Sequence, residues 1–533
     1  MVTLYNIRVN VIVCVVLFLL ISSIVQAQPI GGAPGVETRR AAINFLSVAA
    51  SATPEIGIHT RLKKIPPEVE PPRYLPVPEG VGLPTDMPEG LHIKIPAEIM
   101  SSPSPPPADD FAALSDNNTA IPPDVHGAAG PSHLMVTLNS QVRIQDKTGG
   151  VISTMSLDLF WSSLGSPNAF DPRILYDPYA NHWIFVSAAN PQLASSAILI
   201  GVSATSDPTG SWNLFSVDAD PTNTKWADYP CVGFNKDWIT VQINMFTMAG
   251  AFSNSKVYIF KKSDLYTDVA ATHTLVSLDM SLGGTQVPAL TYDNSLSTLY
   301  LVQNWNGNSG GNGFLRLYTI TGSIGSEVVT PSSFVTTANP WQEDATGGPD
   351  FAPQLGSVQK IAANDSRIQN VVYRNGSLWT TQTVFLPASG TTTRSSVQWW
   401  ELTTGGVITQ RSRVDDPTNT NFYAFPSIGV NSNDEVVIGY SKFSATTYAS
   451  GWYSYRSASD AVNTLRDEVE LKAGENPYYK TFTGDENRWG DYTNTVVDPS
   501  NDIDLWTIQE YAATPANRWG TWWGKIATPV VQF

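Results

Sequence analysis

The chain has 533 residues, of which 15% are charged and 11% aromatic, with 39 Gly, 38 Pro and a formal net charge of −16. So acidic a chain is repelled by nucleic acid phosphates and anionic membrane surfaces, and no basic tract offsets this, so nucleic acid is excluded as a partner. Few charges, many aromatics and abundant turn formers are the composition of short strands joined by turns, which makes the expected class all-β.

In chain order, the first element is "MVTLYNIRVNVIVCVVLFLLISSIVQAQ". Arg8 is its one charge, an apolar run extends from Val9 to Ile24, and small residues Val25 and Ala27 stand at an A-x-A-like cleavage position. Residues 1–27 read as a secretory signal peptide, which predicts a secreted, periplasmic or cell-surface protein with no membrane span after cleavage. The alternative is an uncleaved anchor, because the run approaches the ~20 residues that cross a bilayer. Cys14 departs with the signal, leaving Cys231 as the mature chain's single cysteine, so an internal disulfide is impossible. Between strand formers in "DYPCVGF", Cys231 reads as a small core residue.

Residues 28–115 are proline-rich, as in "KKIPPEVEPPRYLPVPEGVGLPTDMPEG" and "SSPSPPPADD". Proline fixes φ and removes backbone donors, so this segment is expected to be an extended linker. One island, "LHIKIPAE" at Leu91 to Glu98, alternates apolar and polar residues and is a candidate strand.

From residue 116 to 533 a loose unit recurs: a short apolar strand, a turn with Asp, Asn, Gly or Pro, and a more hydrophobic strand. Examples are "DPRILYDPYANHWIFVSA", "DYPCVGFNKDWITVQINM", "FPSIGVNSNDEVVIGYSK" and "DYTNTVVDPSNDIDLWTIQEY". Seven such units with further strands between them predict a seven-bladed β-propeller, with a large sandwich or solenoid as the alternative. Closure needs the last blade tied to the first, and either "TPVVQF" or the island at 91–98 is expected to supply that strand.

Two sequence features point to a top face. Asn-Arg-Trp-Gly occurs twice, at Arg488-Trp489-Gly490 and at Arg518-Trp519-Gly520, both expected on that face of the last blade. Asp124, Asp171 with Arg173, Asp228 with Tyr229, Asp365 with Arg367, and Asp491 with Tyr492 each stand at the start of an inner strand. Carboxylates at one place in five blades converge on a channel mouth, where they bind a cation, act as acid and base, or cap turns. Glycoside hydrolysis needs two carboxyl groups about 5 to 9.5 Å apart, and Asp124, Asp171, Asp228 and Asp491 are the candidates. Trp226, Trp489 and Tyr492 would stack on sugar faces, and Arg173, Arg367 and Arg488 would hold the carboxylate of an acidic sugar.

"ATSDPTGSW" at Ala204 to Trp212 resembles the Asp-box hairpin of sialidases and the similar hairpin of arabinan-cleaving propellers, matching in Asp207, Gly210, Ser211 and Trp212. The glycine is displaced by one position and the motif occurs once. The whole domain resembles uncharacterised secreted bacterial propellers whose units end in segments such as "WGDYTNTVVDP". These resemblances imply a propeller fold, export and glycan chemistry.

No His-Glu-x-x-His, Gly-x-Ser-x-Gly or phosphate-binding glycine loop occurs. Calcium is a candidate cofactor, because "RVDDPTNTN" and "VDPSNDID" offer oxygen ligands. The expected function is a monomeric secreted propeller that binds or cleaves a carbohydrate at its top-face pocket, as a glycoside hydrolase or polysaccharide lyase if catalytic. The alternative is a non-catalytic binding or adhesion propeller.

Overall fold

The computed structural model describes residues 28–51, 63–64, 71–72, 74–89, 103–481 and 486–527. The signal, the island at 91–98 and the tail "TPVVQF" lie outside the described residues.

The described chain is all-β and propeller-like: consecutive strands pair antiparallel in units, each repeating the same inner-to-outer order. The first unit runs through His126–Ala129, His133–Thr137, Gln141–Asp146 and Val151–Ser156, and the second through Ala169–Asp177, His182–Ala189, Ala197–Ser203 and Ser211–Asp218. The third begins at Lys225–Phe234, the fourth at Val287–Thr291, the fifth at Ile368–Arg374 and the sixth at Asn421–Val430. The seventh consists of Asn494–Val497, Leu505–Ala513 and Arg518–Ile526, with Asp109–Ser115 added antiparallel to the last of these. Inner strands of neighbouring units lie side by side in parallel, Phe234 opposite Leu290 and Ala289 opposite Val371.

The described pieces of residues 28–115 pair with the sheets, which an extended linker would not do. Besides the strand Asp109–Ser115, Arg39–Asn44 pairs with the outer strand of the second unit, Ala33–Gly35 with that of the third, and Ile30–Gly31 with that of the fourth. The prolines are concentrated elsewhere: "RRAAIN" and "DDFAALS" contain none, and Pro34 sits in an outermost strand, where a missing N–H is tolerated. These pieces cover sheet edges that would otherwise present unpaired backbone groups. Residues 74–89 cross the fourth and fifth units as a strap. Leu75 N–H donates to Trp305 O at 3.1 Å, and the Glu89 carboxylate meets Arg411 at 2.7 Å and Arg413 at 2.6 Å.

The core lies between units, where second and third strands of one unit pack against those of the next. Ile184 and Val186 meet Ile239 and Val241 in one such cluster. Tryptophan dominates the largest sealed side chains, among them Trp183, Trp212, Trp238 and Trp506, and full burial of a large apolar side chain contributes about 1.5–3 kcal/mol. Small residues are required where inner strands meet these rings: a Cβ on Gly127 would come within 2.5 Å of Trp523.

Candidate functional site

Five of the inner strands enter the sheet through the same distortion. Asp124, Asp171, Tyr229, Thr285 and Phe425 all have positive φ, between 51° and 57°. Each stands two residues ahead of the point where regular pairing starts or resumes, at His126, Arg173, Cys231, Val287 and Ser427. A non-glycine residue in that region carries a strain of order 1–3 kcal/mol unless its surroundings hold it. A polar side chain of a neighbouring unit supplies the hold in four of these units: Asp171 N–H donates to Asn139 Oδ1 at 2.8 Å, Tyr229 N–H to Asp171 Oδ2 at 3.2 Å, Thr285 N–H to Asn244 Oδ1 at 2.8 Å and Phe425 N–H to Thr383 Oγ1 at 3.1 Å.

The acidic residues read from the sequence are brought together at this upper end of the inner strands. Asp124 Oδ1 accepts from Asp491 N–H at 2.9 Å, and its other oxygen accepts from the Asn139 amide, which also serves Asp171. Asp228 Oδ1 and Asp171 Oδ2 share the Tyr229 N–H. Burial first, then the carboxylates of Asp491 and Asp171, push Asp124 well above the usual carboxylate range, and burial with Asp228 and Asp491 does the same to Asp171. Glu510, in the strand Leu505–Ala513, belongs to the same cluster and is raised by burial and by Asp124. Sequence reading missed Glu510, for which a glutamate inside the apolar run "LWTIQEY" is the one signal available.

The expected catalytic and sugar-binding roles meet a geometric obstacle. Asp124, Asp171, Asp228 and Asp491 are 0–3% exposed, and they bond to backbone amides or, for Asp491, to Arg488 at 3.0 Å. Trp226 is sealed and donates to Thr247 O at 3.2 Å, while Trp489 donates to Ser441 Oγ at 3.1 Å and packs against Tyr478. Tyr492 lies beneath the Arg173 guanidinium, whose Cζ is 3.3 Å from the ring centroid. Arg367 forms an ion pair with Asp365 at 2.7 Å. None of these rings offers a free face to a sugar in this conformation. The physical reason is that the inner strands converge here, and small side chains let the polar groups fill the axis themselves.

The two Asn-Arg-Trp-Gly copies clamp one loop. Asn487 Oδ1 accepts from Lys480 N–H at 2.8 Å and Asn517 Oδ1 from Tyr479 N–H at 2.9 Å, while Trp489 and Trp519 are buried in a common cluster. The candidate calcium turns are closed on themselves: Asp416 accepts from Thr418 and from Asn421 N–H at 2.9 Å, and Asp498 takes Lys147 at 2.6 Å. Among the described residues no group of three or more His, Cys, Asp or Glu is placed to hold a metal ion. In the hairpin that resembles an Asp-box, Asp207 caps Thr209 N–H at 2.9 Å and Trp212 donates to Pro208 O at 2.8 Å, both contacts within the turn.

An open polar recess lies beside the sealed cluster. It encloses about 50 Å³ between Pro71, Pro72 and the first residue of the strap, Tyr74, on one side and the fourth and fifth units, through Asn304, Glu343 and Asp365, on the other. Tyr74 is 45% exposed at its rim. Its hydroxyl accepts from Glu343 N–H at 3.2 Å. Burial pushes Glu343 up to about 6, and burial with the nearby Asp365 carboxylate pushes Asp344 up to about 7. Neither acid was singled out in the sequence, because "WQEDATGG" resembles an ordinary solvated turn.

No family model matches the chain, and no curated protein matches it. Among solved structures, a hypothetical selenium-binding protein from Sulfolobus tokodaii aligns with a TM-score of 0.39 at 9% identity, over 64% of this chain and 76% of that one. An apocarotenoid oxygenase from Synechocystis aligns with a TM-score of 0.38 at 11% identity, over 66% and 71%. The propeller of Dos1 aligns with a TM-score of 0.37 at 9% identity, over 80% and 97%. Among the described residues no helix is long and apolar enough to cross a membrane.

Proposed function

We propose that the chain is an exported seven-bladed β-propeller that binds a carbohydrate at the upper face without cleaving it. The seven antiparallel units, with Asp109–Ser115 as the closing strand of the last, support the blade count. The composition of residues 1–27 supports export. Sealing of Asp124, Asp171, Asp228 and Asp491 is the observation that carries the non-catalytic reading: these carboxylates are 0–3% exposed and hold backbone amides and an arginine. The recess under Tyr74, at about 50 Å³, would take one edge of a sugar and not its whole ring, with the exposed Tyr74 ring beside it and amide and carboxylate partners for hydroxyl groups within.

Hydrolysis is the second reading, and Asp344 favours it. A carboxyl that titrates at about 7 is suited to general-acid work near neutral pH, and Asp365 lies close by. An array of plant, algal and bacterial glycans, scored both for binding and for reducing-end release, separates the two. Binding without release supports the proposal. Release that disappears in Asp344→Asn supports hydrolysis, and neither binding nor release overturns both.

A further inference from the structure

The inner strands also end together, and a second cavity of a different chemistry opens at that lower end. It encloses about 180 Å³. Its walls are Ala129, Leu175, Phe234, Leu290, Val496 and Val497, contributed by the first, second, third, fourth and seventh units. Tyr179 and Asp502, 41% and 49% exposed, mark its mouth, and Tyr292 lines it beside them.

Core residues further out in the same units are fully sealed, whereas Leu290, Val496 and Val497 keep 5–7% exposure, facing the cavity from the inner strands. Water against such walls is displaced favourably by apolar matter, and a dry apolar cavity of roughly 150 Å³ accommodates a benzene ring.

The mouth is held in shape. Asp502 O accepts from Ser432 N–H at 3.1 Å and from Ser432 Oγ at 2.8 Å, and the Asp502 carboxylate is paired with Arg374 of the fifth unit. The Arg374 Cζ stands 5.3 Å from the Tyr292 ring, which meets Phe234 edge-on at 6.1 Å. Asp502 remains 49% exposed, so one carboxylate oxygen faces solvent at the mouth and accepts hydrogen bonds.

We propose that this lower cavity is a binding site for a single-ring, uncharged aromatic alcohol of the phenol class. The ring fills the apolar pocket between Leu290 and Val496, and its hydroxyl donates to Asp502. A carboxylate in the hydroxyl's place cannot donate to Asp502 and meets it as a like charge that Arg374 only partly offsets, so it binds more weakly.

Calorimetric titration of the full-length protein with phenol and with benzoate tests this. Saturable phenol binding is expected, with benzoate at least about tenfold weaker. Leu290→Trp, which fills the cavity, is expected to weaken phenol at least about tenfold while the far-ultraviolet circular dichroism stays that of the wild type. Should Leu290→Trp not fold, Val497→Phe fills the opposite wall and serves the same purpose. Asp502→Asn is expected to bring benzoate to within about threefold of phenol. Absence of phenol binding, phenol binding that survives a folded cavity-filling variant, or benzoate binding as tightly as phenol to the wild type would each overturn the proposal.

Discussion

The Arg173 guanidinium lies over the Tyr492 ring, its Cζ 3.3 Å from the centroid, joining the inner strand of the second unit to the residues that open the seventh. Tyr229 stands 5.0 Å from the same guanidinium and meets Tyr492 edge-on at 6.1 Å, and the Arg367 guanidinium lies 4.3 Å from Tyr229. Tyrosine and arginine thus alternate across the axis, and the charges removed from water are compensated by ring faces and by Asp365.

Tyr492→Leu leaves Arg173 buried without that face, and the expected loss of stability is about 3 kcal/mol. Tyr492→Phe keeps the ring but loses the hydroxyl donated to Pro172 O, at about 1 kcal/mol. Urea unfolding of the two variants checks the order, and equal losses would show that the ring face does not matter.

Asn139 serves two units at once, accepting from Asp171 N–H and donating to Asp124. Asn139→Ala orphans the Asp171 N–H at a strained backbone position and leaves one of the two Asp124 carboxylate oxygens without its donor. A loss of about 2–4 kcal/mol is expected by the same unfolding measurement, against less than about 1 kcal/mol for a typical surface asparagine.

The raised acids give stability a pH dependence of defined sign. Asp344 in the folded chain holds its proton up to about pH 7, whereas the unfolded chain releases it near 3.8. The folded state therefore carries the extra proton between those values; the stabilisation is full below about pH 4 and is lost as pH rises towards 7. Glu343 acts in the same direction up to about pH 6. His126, which burial and Arg173 hold well below its ordinary value, acts oppositely, losing stability on acidification below about pH 6.5. Comparing wild type with Asp344→Asn cancels the terms they share. The Tm of the wild type should fall relative to that of Asp344→Asn as pH is raised from 4 to 7, and parallel Tm curves would count against the assignment.

Proline substitution distinguishes the closing strand from the outer ones. Ala113 is buried, its carbonyl accepts from Arg143, and Leu114 beside it exchanges hydrogen bonds with Thr521 at 2.9 Å. Ala113→Pro is expected to cost about 3 kcal/mol and to promote aggregation through the opened edge. Ala33→Pro, in an exposed outermost strand, is expected to cost less than about 1 kcal/mol. Thermal unfolding with light scattering reads both effects.

Tyr74→Ala removes the exposed ring at the upper recess. Glycan affinity is expected to fall about tenfold while Tm changes by less than about 2 °C, since the ring is half in water. An unchanged affinity on the array would move the sugar site away from the strap.

Much of the architecture was legible because it is periodic. Strand, turn and more apolar strand recur in units whose inner members are small, as in "HGAA" and "NTVV", and whose second members are fully buried, as in "HWIFVSAA". The closing strand was misplaced because "DDFAALS" borders a proline run and alternates weakly, and only its partner Arg518–Ile526 makes it a strand. For the candidate site, sequence position marked Asp124, Asp171, Asp228 and Asp491, while Asn139, Glu343, Asp344 and Glu510 passed unnoticed among ordinary strand and turn residues.

The sequence by itself determined the all-β class, the succession of units and the placing of acidic residues where inner strands begin, since these follow from local pattern and turn chemistry. Only tertiary structure decided that those acids are sealed and hold backbone amides. Burial and hydrogen bonding are properties of partners distant along the chain: Asp124 is satisfied by Asp491, 367 residues away, and no local pattern encodes that distance.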